Sequence, residues 1–132
     1  MRARSWLCGM FAATVVVMLE AAPTAAHHSY VPKYNPAKMI RLEGVITSVS
    51  YSNPHIFFSV EVRTRGGQTV EWTIETESIP LAIKAGLTQA RMTIGNRVTV
   101  TGWPSRTGAP ELGLATYTLR DGRKLTVRKT PR

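Results

Sequence analysis

His27, His28 and His55 are the residues in this 132-residue chain whose type and placement suggest chemistry. The first two stand directly behind Thr24-Ala25-Ala26, small residues of the kind a signal peptidase requires at its cleavage site. Cleavage after Ala26 would leave His27 as the first residue, and its free α-amine and imidazole would chelate a metal ion as a pair. A third nitrogen from His55 would complete a T-shaped set that suits tetragonal Cu(II). His28 is an alternative ligand, because a histidine in second position can bind copper with the amine and an intervening deprotonated amide. In that case His55 would be idle. The only cysteine, Cys8, precedes the cleavage site, so residues 27–132 carry no thiol and are expected to form neither a disulfide nor a thiolate-ligated zinc site.

The first 26 residues read as an export signal. Arg2 and Arg4 make a basic start and Trp6 to Leu19 is almost wholly apolar, a stretch short of the about 20 residues a spanning helix needs. Glu20 is an unusual charge so near the cleavage site. The expectation is an exported protein, periplasmic or secreted, with no stable membrane span after cleavage. The remaining residues, 27–132, suffice for one domain with one modest core. The chain has a formal net charge of +9, and removing Arg2, Arg4 and Glu20 with the leader leaves +8. A basic protein in the cytoplasm would raise nucleic acid as a partner. Outside the inner membrane the polyanions at hand are lipid headgroups, lipopolysaccharide phosphates and acidic sugars, so nucleic acid is not expected. The charge also serves solubility alone.

The elements that must position the histidines are mostly strands. Residues 27–39, with Pro32 and Pro36, read as an extended arm, and residues 40–132 as the folded domain. Ile40 to Tyr51 is β-branched and forms a long strand, with Gly44 suited to a bulge or barrel corner. After Asn53-Pro54, residues Ile56, Phe58, Val60 and Val62 alternate with polar ones and bury one face. Gly66-Gly67 turns the chain into Val70, Trp72 and Ile74, which place Trp72 in the core. Ser78, Pro80 and Gly86 mark the N-cap, first turn and end of one short helix. Arg97 to Trp103, Leu112 to Leu119 and Lys124 to Val127 are further strands, the last two joined at Asp121-Gly122. The basic end, Arg128 to Arg132, is expected to be disordered. The order predicts an all-β fold, a small OB-like antiparallel barrel of five to six strands with one short helix behind an extended N-terminal arm. A small antiparallel sandwich is the alternative.

Ala26-His27-His28-Ser29-Tyr30, Leu42-Glu43-Gly44-Val45, Asn53-Pro54-His55, Val98-Thr99-Val100-Thr101-Gly102 and Asp121-Gly122-Arg123-Lys124 resemble an uncharacterised family of small exported bacterial proteins, of the domain-of-unknown-function class. The resemblance covers nearly all of residues 27–132. It implies export and a small β-barrel, and it brings no activity.

Two functional readings stand. In the first, the protein binds or delivers copper through His27 and His55, with His28 as the alternative ligand. In the second it is a binding module for an anionic envelope ligand or a periplasmic protein, using the basic surface and a stacking face of Trp103 and Phe57. The histidines are then incidental polar residues, with His55 capping its turn through a backbone bond. Catalysis has less support. Glu71, Glu75 and Glu77 share one strand face, which is conceivable for a paired-carboxylate hydrolase but reads better as solvated surface. An oxidative copper enzyme acting on polysaccharide would also suit the histidines, yet the chain is small for a broad substrate platform. No Gly-rich phosphate loop and no serine nucleophile elbow occurs.

Overall fold

The computed structural model describes residues 30–130. Six strands form one sheet in the order β3-β2-β1-β4-β5-β6: β1 Ile40–Ser50, β2 Phe57–Arg63, β3 Thr69–Glu75, β4 Arg97–Pro104, β5 Glu111–Thr118 and β6 Lys124–Thr126. A parallel pairing of β3 with β5, Thr73 to Glu111 through Glu75 to Gly113, closes the first five strands into a barrel. The other pairings are antiparallel. Helix α2, Ile79–Lys84, lies between β3 and β4, with Pro80 in its first turn and Gly86 at φ +86° just beyond it. Ser78 is the N-cap residue but makes no side-chain capping bond. A single 3₁₀ turn, Gln89–Arg91, was not foreseen. The OB-like barrel read from the strand order is the fold.

Two bulges decide which residues face inward. In β1, Leu42, Gly44 and Ile46 point to the core, and an irregularity between Ile46 and Ser48 shifts the phase so that Val49 and Tyr51 follow them inward. In β5 the extra residue is Ala115, and the inward set passes from Leu112 and Leu114 to Tyr117. A one-residue slip of this kind exchanges the two faces of a strand. Gly44 and Gly102 sit where strands approach most closely. A Cβ on Gly44 would overlap the carbonyl of Glu61, and one on Gly102 that of Gly113. Ile56, Phe58, Val60, Ile74, Val100 and Leu114 are fully enclosed in the barrel. Trp72 is only half-buried and packs against this core from its margin. Tyr117 is enclosed too, its hydroxyl donating to the Arg91 carbonyl at 2.6 Å, and burial pushes its pKa up to about 12.

The described part of the arm is ordered against the barrel. One helical turn, α1 Tyr30–Lys33, takes the place of fully extended chain, after which Tyr34 bridges Ser105. Asn35 N–H donates to the Pro104 carbonyl at 2.9 Å, and Arg106 N–H to that of Lys33 at 3.0 Å. Tyr34 thereby covers the outer face of β4 and forms a second buried cluster with Trp103 and Ala115. The chain end also differs from expectation. Arg128 is not a disordered residue: its N–H donates to the Ala115 carbonyl, and its guanidinium meets Glu77 at 2.7 Å with both side chains largely buried. The expected export signal, His27 and His28 lie outside the described residues. Among the described residues no helix is long and apolar enough to cross a membrane.

Candidate functional site

His55 follows the Asn53-Pro54 turn and enters the sheet immediately before β2. The turn is held from the far side, where Asn53 Oδ1 accepts the Ile79 N–H at the start of α2 at 3.0 Å. Beyond His55 the chain is locked by two backbone bonds, Ile56 N–H to the Glu77 carbonyl and Thr76 N–H to the Ile56 carbonyl. The ring is thus carried on the rigid end of a hairpin. Its Nδ1 lies 2.7 Å from Oε1 of Glu75, and the His55 side chain is 18% exposed. A carboxylate partner is thus present where a simple turn cap needs only a backbone bond.

Glu75 corrects the reading of the three glutamates as one solvated face. Glu71 is exposed, Glu77 pairs with Arg128, and Glu75 is 8% exposed at the centre of a cluster. Its Oε2 accepts the Tyr34 hydroxyl at 2.7 Å and Lys33 Nζ at 3.1 Å, while Oε1 takes the histidine. Lys33 also approaches Oε1 of Glu111 at 3.7 Å and lies over the rings of Tyr34 and Phe57. Burial pushes the Glu75 carboxyl up. The bonds from Tyr34, His55 and Lys33, with the nearby lysine charge, outweigh that and bring its pKa below the usual 4.5. The group is therefore ionised at neutral pH, and an ionised carboxylate only accepts hydrogen bonds. That assigns the proton to Nδ1 of His55 and makes Nε2 the nitrogen that carries the lone pair in the neutral ring.

Of the residues expected to form a stacking face, Trp103 does not belong to one. It is 3% exposed, because the arm lays Tyr34 across the outer side of β4, where Trp103 packs with Tyr34 and Ala115. Phe57 remains half-buried on the outside of β2 beside Lys33. Glu75 and Lys33 were not foreseen as site residues, and Tyr34 reads from the sequence as a residue that could lie near the histidines but would ordinarily pack with its hydroxyl exposed. One signal for Glu75 was available: the hairpin register that pairs Phe57 with Glu75 makes Glu75 the diagonal neighbour of His55. Lys33 and Tyr34 carried no periodicity from which to place them. Among the described residues, no three of His, Cys, Asp or Glu gather in a way that could hold a metal ion.

Fold and site together define a small closed β-barrel in which a docked arm and a strand-borne histidine share one buried carboxylate. The chain belongs to DUF6152, a family of unknown function whose model matches residues 14–115. No curated protein matches the chain.

Proposed function

We propose that this is an exported metal-binding protein that takes Cu(II) on Nε2 of His55 and on the α-amine and imidazole of His27 after cleavage behind Ala26, with His28 as the alternative ligand. The observation that carries this reading is the 2.7 Å bond from His55 Nδ1 to a buried carboxylate that also anchors the arm. Histidines that ligate metals characteristically donate their other ring N–H to a carboxylate or carbonyl, which fixes the tautomer and raises the basicity of the ligating nitrogen. The anchoring by Lys33 and Tyr34 shortens the tether. From His27 three extended steps of roughly 3.3 Å reach Tyr30 and the helical turn Tyr30–Lys33 adds three of roughly 1.5 Å, a span of at most about 14 Å, and Lys33 already binds the carboxylate that His55 binds. Nitrogen donors and the absence of a thiol from residues 27–132 favour Cu(II) over Cu(I). The protein holds or delivers the ion and does not itself catalyse a reaction.

Intact mass and Cu(II) titration of the exported protein test this. The mass should correspond to a chain beginning at His27. His55→Ala and, separately, one residue added before His27 should each weaken Cu(II) binding about tenfold or more, roughly 1.4 kcal/mol. Copper should raise the parent's melting temperature by binding the folded state preferentially. A purely local chelate gives another pattern, in which His55→Ala binds copper as the parent does and copper leaves the melting temperature unchanged. That result would overturn the bridged site.

A further inference from the structure

A second site stands apart from His55. The 3₁₀ turn, the start of β4 and the β5–β6 turn enclose a cleft of about 330 Å³ whose charged lining is Arg91, Arg97, Arg120, Arg123 and Asp121. Glu75 pairs with Gly113 at the beginning of β5, whereas the cleft begins at Tyr117, four residues on and roughly 13 Å along the strand. From this geometry we infer that the cleft binds a phosphate or phosphomonoester group.

Four guanidinium groups against one carboxylate leave a strong local excess of positive charge. Every cation lining the cleft is an arginine, and a guanidinium presents a planar fork that matches phosphate oxygens two at a time, which an ammonium does not. Three of the forks are already oriented by neighbours. Arg120 donates to Asn96 Oδ1 at 3.1 Å, Arg123 Nε to Asp121 Oδ2 at 2.7 Å, and Arg91 to the Gly86 carbonyl. Side chains held in this way lose less freedom when an anion arrives. Arg97 is shared with Glu43, 3.7 Å away on the outer side. The floor is apolar, formed by Val98, Tyr117 and Leu119, and gives the organic part of a small phosphomonoester a surface to rest on.

Calorimetric titration of the whole protein at low ionic strength with inorganic phosphate and with glycerol 3-phosphate tests the site, alongside sedimentation with phosphatidylcholine vesicles carrying phosphatidic acid. Saturable binding is expected, weakened about tenfold or more in Arg120→Ala/Arg123→Ala, since each bidentate contact is a strong charge-assisted pair. Both side chains are exposed, so this variant should keep the parent's melting temperature. Arg63→Ala/Arg65→Ala removes the same charge from the exposed end of β2 and the turn that follows it and should bind as the parent does, as should His55→Ala. Binding of the soluble probes identifies a free phosphate compound as the ligand. Binding of the acidic vesicles alone, abolished in the Arg120/Arg123 variant, identifies a lipid headgroup. Equal loss in the two double-arginine variants would mean diffuse attraction and would overturn the site, as would the lack of saturable binding to all three probes.

Discussion

Glu75 shows how one carboxyl group can tie distant parts of a chain together. It receives Tyr34 from the arm and His55 from the hairpin, with Lys33, the most exposed of the three donors, adding its charge. Replacing it with glutamine keeps an acceptor but removes the charge that strengthens these bonds, and should cost about 1–3 kcal/mol at pH 7. The pH dependence follows from the direction of its shift. The folded carboxyl titrates below the unfolded value of 4.5, so its stabilisation is complete above that value and is lost as pH falls through the folded pKa. Urea unfolding of parent and Glu75→Gln should therefore differ most at neutral pH and converge at a pH below the folded pKa. A gap of equal size at both pH values would show that the folded state does not hold the carboxylate ionised. His55 was legible as a candidate because its residue type and the preceding turn mark it. Glu75 was legible only as a diagonal neighbour through the hairpin register, because alternation along a strand reports faces and says nothing about what another segment lays over them.

At the scale of elements, the arm is what changes the meaning of β4. Alternation along Arg97 to Trp103 puts the indole outside, and it is outside the barrel, yet Tyr34 covers it. Trp103→Ala should therefore destabilise the fold by about 3–5 kcal/mol, as loss of a core aromatic does, whereas Phe57→Ala, at a half-buried position, should cost clearly less. Thermal or urea denaturation of the two variants separates them, and equal small losses would deny the arm its covering role. The strands and helix themselves were readable to within a residue or two, since period-two runs, glycine turns and a proline at the helix start are local signals. The 3₁₀ turn and the two bulges were not, because they arise from closing the barrel, a requirement no short window of sequence contains.

For the molecule as a whole, the segment after β6 fastens the barrel. Arg128 meets Glu77 at 2.7 Å, with side chains 11% and 14% exposed, and so links the segment after β6 to the end of β3. Removing one partner from a fully buried pair costs about 3–5 kcal/mol, and the residual exposure here reduces the expected loss for Arg128→Ala to about 2–4 kcal/mol. The double variant Arg128→Met/Glu77→Leu should recover most of that in equilibrium unfolding, because it leaves no stranded charge. Additive losses would instead mean that each residue acts through other contacts. The basic composition of the tail suggested disorder, and composition alone could not reveal the acidic partner 51 positions earlier. The parallel seam between β3 and β5 has a further consequence for life at high concentration. With β5 occupied by β4, β3 and β6, the unpaired edges of the described sheet are short, among them Thr69 to Trp72 of β3 and the three residues of β6. Glu71 stands on the first, and Lys124 opens the second beside Arg123. Short, charged rims make poor templates for strand addition, so the barrel that presents the histidine is also built against edge-to-edge aggregation.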